Sequence, residues 1–155
     1  MITIAIVGIL AAVAVPMFID AIKKSKNSEA TIQLNKIARA AKEQYAVNSR
    51  FPSTFVFSPA VSCCTQNFNN KRQCAPNPAD WTGGWTLLDF EISEPFYYQY
   101  LYIGFSFPGF NIFVAQATGD LDCDGTSVFP YILGVVFPGT SNIVYFTFDP
   151  PTNAD

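Results

Sequence analysis

From Met1 to Ile19 the chain carries no charged side chain; the first charge is Asp20. About 20 apolar residues span a bilayer, so this run sits at that length. A cleaved export signal would show a basic start, a shorter apolar stretch and a small-residue cut site. Here there is no basic start, and Pro16 is followed by bulky Met17 and Phe18. An uninterrupted apolar run at the terminus of a 155-residue chain is a poor core helix as well, because termini are seldom enclosed. The run therefore calls for lipid, or for copies of itself.

The next segment is patterned as a helix of a different kind. Ala30, Leu34, Ile37, Ala38, Ala41 and Tyr45 recur at three- and four-residue steps, with Lys36, Arg39, Lys42 and Glu43 turned away. A continuous helix from Met1 to Asn48 would be about 70 Å long at 1.5 Å per residue. No globule of this size needs such a rod. Its first half projects and its second half lies against something apolar. The exit is Asn48-Ser-Arg-Phe-Pro52, since the residue before a proline avoids helical geometry. Two weak points interrupt the rod. Pro16 removes a backbone hydrogen bond and costs about 3 kcal/mol in a helix interior. Gly8 costs roughly 1 kcal/mol relative to alanine.

Composition agrees with a molecule that expects partners. Half of the chain is hydrophobic, 14% is charged and 15% is aromatic, with fifteen Phe. Charge divides unevenly, with a net +4 in residues 1–51 and −7 in residues 52–155. A basic stalk and an acidic head can pair between stacked copies, and a merely solvated helix beside an acidic surface accounts for the same numbers. Residues 53–84 read as a linker rich in Pro, Asn and Ser. Beyond Gly83-Gly84 the pattern turns to strands: Leu88, Phe90 and Ile92 alternate with Asp89 and Glu91. Phe96 to Phe107, Asn111 to Ala117, Val128 to Phe137 and Asn142 to Phe148 come next, with Pro108-Gly109 and Pro138-Gly139 as turns. Four or five such strands predict an antiparallel sheet covering the helix stripe. The expected fold is α+β. Its parts are an apolar membrane or filament-core helix (1–22), an amphipathic helix packed on the head (23–50), a disulfide-stapled loop (51–84) and a sheet head (85–155). Removing residues 1–22 is expected to leave a soluble, monomeric head.

Four cysteines, Cys63, Cys64, Cys74 and Cys123, point to disulfides and an oxidising compartment. Adjacent Cys63 and Cys64 are poorly placed to bond each other, so each is expected to take one of Cys74 and Cys123. A zinc site is disfavoured by the absence of His and of paired Cys-x-x-Cys spacing. Catalysis also finds no motif: no His, no nucleophile elbow, no phosphate-cradling loop. The chain is therefore not expected to be an enzyme, and no specific nucleic-acid site is evident. One constellation resembles a ligand set. Asp120, Asp122 and Asp124, followed by Gly125, match the opening half of a calcium loop, but the position of the bidentate Glu is Tyr131. The alternatives are a weak calcium site and a plain polar turn, for which Asp and Gly are common. No other cofactor is expected.

The residues Ile6-Val-Gly-Ile-Leu-Ala-Ala-Val-Ala-Val-Pro16, with Phe18 beyond, closely resemble the N-terminal helix of bacterial type IV pilins. The resemblance extends over roughly residues 1–52, including the helix exit. It is weaker at Pro95-Phe-Tyr-Tyr-Gln-Tyr100 and at Ala117-Thr-Gly-Asp-Leu-Asp-Cys-Asp-Gly125. It implies a filament core built from Ile6, Val7, Gly8, Ile9, Leu10, Val13, Val15, Pro16 and Phe18, helical in the membrane and partly extended between Gly8 and Pro16 once assembled. It implies a structural subunit of a surface filament serving adhesion, motility or DNA uptake. Its partners would be the inner membrane first, then the pilus assembly machinery and a helical homopolymer of itself at the cell surface. The family's basic leader and its early glutamate are not seen, so the chain is expected to start inside the family's mature helix. The last Cys lies 32 residues from the end, which argues against the family's C-terminal disulfide loop. Pseudopilins of type II secretion share the layout and are the alternative. A monomeric membrane-anchored binding domain is a second alternative, one that has no use for the Gly8/Pro16 break.

Overall fold

A computed structural model describes residues 2–150. Helix α1 (Ile2–Asn48) runs unbroken through Gly8 and Pro16. After it come β1 (Phe55–Ser58), a short helix α2 (Cys63–Gln66) and 3-10 turns at Pro78–Trp81 and Gly83–Leu88. Strands β2 (Gln99–Phe107), β3 (Phe110–Thr118), β4 (Tyr131–Val136) and β5 (Ile143–Phe148) complete the described residues. The five strands form one antiparallel sheet in chain order, so each pairs only with its sequence neighbours. The fold is α+β, a long N-terminal helix laid across one face of that sheet.

Helix α1 stops where the sequence turns polar. Ser49 takes a left-handed backbone (φ 53), and its N–H caps the carbonyl of Tyr45 at 2.8 Å. Ala30, Leu34, Ile37, Ala38 and Ala41 are buried against the sheet. Facing them are Tyr100 and Tyr102 of β2, Phe113, Ala115 and Ala117 of β3, and Ile132 and Val136 of β4. Gly134 belongs to this face for a steric reason: a Cβ there would lie 2.1 Å from Phe113 Cε1. The Phe113 ring fills that space and meets Phe51 edge-on at 4.9 Å. Towards the other end of the core Trp81 packs edge-on against Trp85 (5.5 Å) and Phe90 (5.3 Å), arrangements favoured by ring quadrupoles.

Two expectations need correction. Leu88, Phe90 and Ile92 are not in a strand: Leu88 closes a 3-10 turn, and Asp89 ends it with φ 47. All three side chains are buried, so their alternation reports burial on an irregular path, not a pleat. The stretch read as a linker holds β1, an edge strand pairing Phe55 with Ile103 and Ser58 with Tyr100. Ser58 anchors it, accepting from Trp85 Nε1 at 2.9 Å and donating to the Asp80 carbonyl at 2.5 Å. Of the expected segments, Met1 and residues 151–155 lie outside the described residues.

Candidate assembly surface

Helix α1 changes character at Lys23. Below it, the apolar side chains have no cover from their own chain: Val7, Leu10 and Phe18 are 64%, 64% and 68% exposed. Ile6, Ile9, Val13 and Val15 are exposed as well. Gly8 has open space around it. By length and composition the helix can cross a membrane, and the apolar window that qualifies it has no buried residue. Monomeric soluble proteins rarely show an apolar patch beyond a few hundred Å², and a rod of this kind exceeds that on every side. Pro16 leaves the Ala12 carbonyl without its helical donor, a place where the rod is weakest. The structure thus exposes every candidate core position from Ile6 to Phe18 together.

Above that point the head grips the helix through polar contacts. Lys23 Nζ donates to Asp122 Oδ2 at 2.9 Å, and Lys26 Nζ to the Leu121 carbonyl at 3.2 Å. Lys26 also sits 4.6 Å from the Tyr97 ring centroid. One turn on, Asn27 Oδ1 accepts from the Tyr98 hydroxyl at 3.0 Å. Glu29 Oε1 accepts from the Tyr97 N–H at 3.0 Å and the Tyr100 hydroxyl at 3.2 Å. Glu29 is largely enclosed, and burial pushes its carboxyl up to about 7, although the donors from Tyr97 and Tyr100 favour the ionised form. Burial likewise raises the Tyr100 phenol well above its ordinary range, so it stays a donor. In the sequence alone Glu29 counts only as a charge. Its place one residue before Ala30 on the helix stripe is the one signal of its burial.

The raised carboxyl sets a direction for stability. Glu29 binds its proton more tightly folded (about 7) than in its ordinary state (4.5). Its contribution is therefore complete below pH 4.5 and is lost as pH rises through 7. At about 1.4 kcal/mol per pH unit, the loss approaches roughly 3 kcal/mol above neutrality. Glu29→Gln mimics the protonated acid and still accepts from Tyr97. Chemical denaturation at pH 5 and pH 8 should show the variant gaining on the parent at the higher pH only. An equal difference at both values would refute the assignment.

The stapled loop lies beside this grip. Cys63 is bonded to Cys74 and Cys64 to Cys123, so no cysteine is free. Ser62 caps α2 by accepting from Thr65 N–H, and Asn67 closes it in a left-handed conformation. The Asp120–Asp124 turn is held by the second bridge. Its three carboxylates bring ligand atoms within 4.8 Å of one another. Most of their oxygens are already engaged, although Asp122 Oδ1 is buried without a hydrogen-bond partner. Asp120 accepts from the N–H groups of Asp124 (3.2 Å) and Gly125 (2.9 Å), and Asp124 accepts from Thr126 N–H at 2.7 Å. The Lys23 ammonium holds the Asp122 carboxyl below the usual range, and Arg72 donates to the Asp122 carbonyl. Tyr131 is away on β4, stacked on Phe148 at 5.4 Å. A cation at this turn would compete with Lys23 for Asp122, while Asp120 and Asp124 accept from the turn's own N–H groups.

The class these features define is an α+β head carried on an exposed apolar N-terminal helix and stapled by two disulfides, a layout compatible with a pilin-like fold. No protein family matches the chain, and neither does any curated protein or solved structure.

Proposed function

We propose that the chain is the structural subunit of a type IV pilus-like surface filament, membrane-anchored before assembly and polymerised through the helix below Lys23. The observation carrying this reading is that the candidate core residues from Ile6 to Phe18 are all uncovered on one rod. A membrane anchor alone would need the length but not the Gly8 and Pro16 weak points, which a packed bundle of copies can accommodate. The basic residues along α1 and the acids in the head's connecting loops supply complementary surfaces between stacked copies. No catalytic role enters this reading, and a calcium ion at Asp120–Asp124 forms no part of it.

The closest rival, a pseudopilin of a secretion machine, predicts short assemblies that stay with the cell. Shearing filaments from intact cells and identifying their protein by mass spectrometry tests the difference. The chain should be a principal component of the sheared fraction, with its mature N-terminal residue read directly. Its confinement to the membrane fraction of cells that still bear filaments would overturn the proposal.

A further inference from the structure

The sheet is apolar on both faces. An antiparallel sheet with one face on a core ordinarily turns polar side chains to water on the other. Here the face turned away from α1 presents Phe55, Phe57, Phe105, Phe107, Phe146 and Phe148, exposed by 40–68%. The remaining outward positions of β2 to β5 are aliphatic or aromatic, apart from Gln99, Gln116 and Thr118 at one end. Among the described residues no strand carries a charged side chain. The acids of the head lie in the connecting segments.

We infer that this face docks on the same face of a second copy, sheet against sheet. Three observations select that occupant. A surface without charge, whose few polar side chains gather at one end, can serve as its own complement, as a two-fold interface requires. Strands of four, nine, nine, six and six residues, about 3.4 Å per residue and about 4.8 Å apart, give a face of roughly 550 Å² per copy. Two copies then bury about 1,100 Å², just above the roughly 1,000 Å² that a specific pair needs. A lipid surface is disfavoured, because the face offers no basic residue to anionic headgroups while residues 52–155 are net −7.

The geometry also says which copy. Helix α1 lies on the inner face of the sheet and continues below it as the exposed rod. When rods bundle, each head turns its helix side to the bundle and its apolar sheet face outwards. The partner is then a head of a neighbouring filament, and pairs that are weak singly gain strength when many act along two filaments. This lateral pairing rests on the filament reading, whereas the head-to-head contact does not. On this reading the isolated head would dimerise, where the sequence leads one to expect a monomer.

The test uses the full chain, one copy per detergent micelle, so that the rod is covered and only heads can meet. Sedimentation should show a concentration-dependent dimer that strengthens with salt. Phe105→Lys combined with Phe146→Lys should leave a monomer with unchanged near-ultraviolet circular dichroism. As an independent reading, Val114→Cys at the centre of the face should be joined into dimers by a short bismaleimide, and Leu87→Cys, exposed outside the sheet, should not. A wild-type chain monomeric at millimolar concentration, a dimer that survives both lysines, or equal cross-linking at Leu87 would each overturn the assignment. Filament loss after a charge is placed in the rod would leave this assay unchanged, so the two readings fail separately.

Discussion

Replacing Val7 or Leu10 with aspartate is expected to abolish filaments while leaving the head's melting temperature unchanged. Both side chains are about two-thirds exposed in the single chain, so neither contributes to the head. In a dry bundle of helices each carboxylate would be desolvated without a partner. Even membrane insertion scales assign such a charge about 3 kcal/mol at a helix centre, and a polymer repeats that cost at every subunit. Electron microscopy of cells carrying either variant should show bare surfaces beside normal amounts of membrane-held protein. Abundant filaments in both variants would mean that the rod is an anchor and nothing more. A fall in head stability would mean instead that the rod folds back on the head.

Removing the Cys64–Cys123 bridge is expected to cost the head roughly 4 kcal/mol on the chain-entropy account, because it closes a loop of 59 residues. The Cys63–Cys74 bridge, with a separation of 11, is expected to contribute about 3 kcal/mol by the same relation. Cys64→Ser with Cys123→Ser should lower the melting temperature by roughly 10 °C or more for a domain of this size. The Cys63→Ser/Cys74→Ser pair should lower it less. Thermal melts followed by circular dichroism give the order directly. If the short loop proves the costlier one to open, local packing around buried Cys63 and Cys74, not chain entropy, is what the bridges supply.

The N-terminal third of the molecule was legible because its signals are long. Nineteen uncharged residues, a stripe from Ala30 to Tyr45 and a Phe-Pro exit each repeat one message over several turns. The turns of the β2–β3 and β4–β5 hairpins were legible as Pro108-Gly109 and Pro138-Gly139 between apolar runs. Between Phe51 and Tyr98 the signals are short and conflicting. Strand β1 is four residues long and hidden among Pro, Ser and Thr, so only its register with β2 identifies it. Alternating Leu88, Phe90 and Ile92 look pleated, yet a left-handed Asp89 turns the chain between them. The Glu29 cluster was invisible for a related reason: its partners Tyr97, Tyr98 and Tyr100 lie about 70 residues on, and only the fold brings them together. The two-faced sheet, by contrast, was present in the sequence as strands lacking polar alternation. It reads as ordinary core until one face is assigned to α1.

The Cys64–Cys123 bridge also sorts the strands by whether they lie inside one covalent ring. Strands β2 and β3, residues 99–118, are within it, whereas β4 and β5 lie outside on the C-terminal side. On that side β5 is the rim of the sheet, exposed along nearly its whole length, while β4 stays in the interior with Ile132 and Val136 in the core. Such a rim can peel and re-form without disturbing the ring, so its amide hydrogens exchange through the smallest openings. A head that loses its rim keeps its centre.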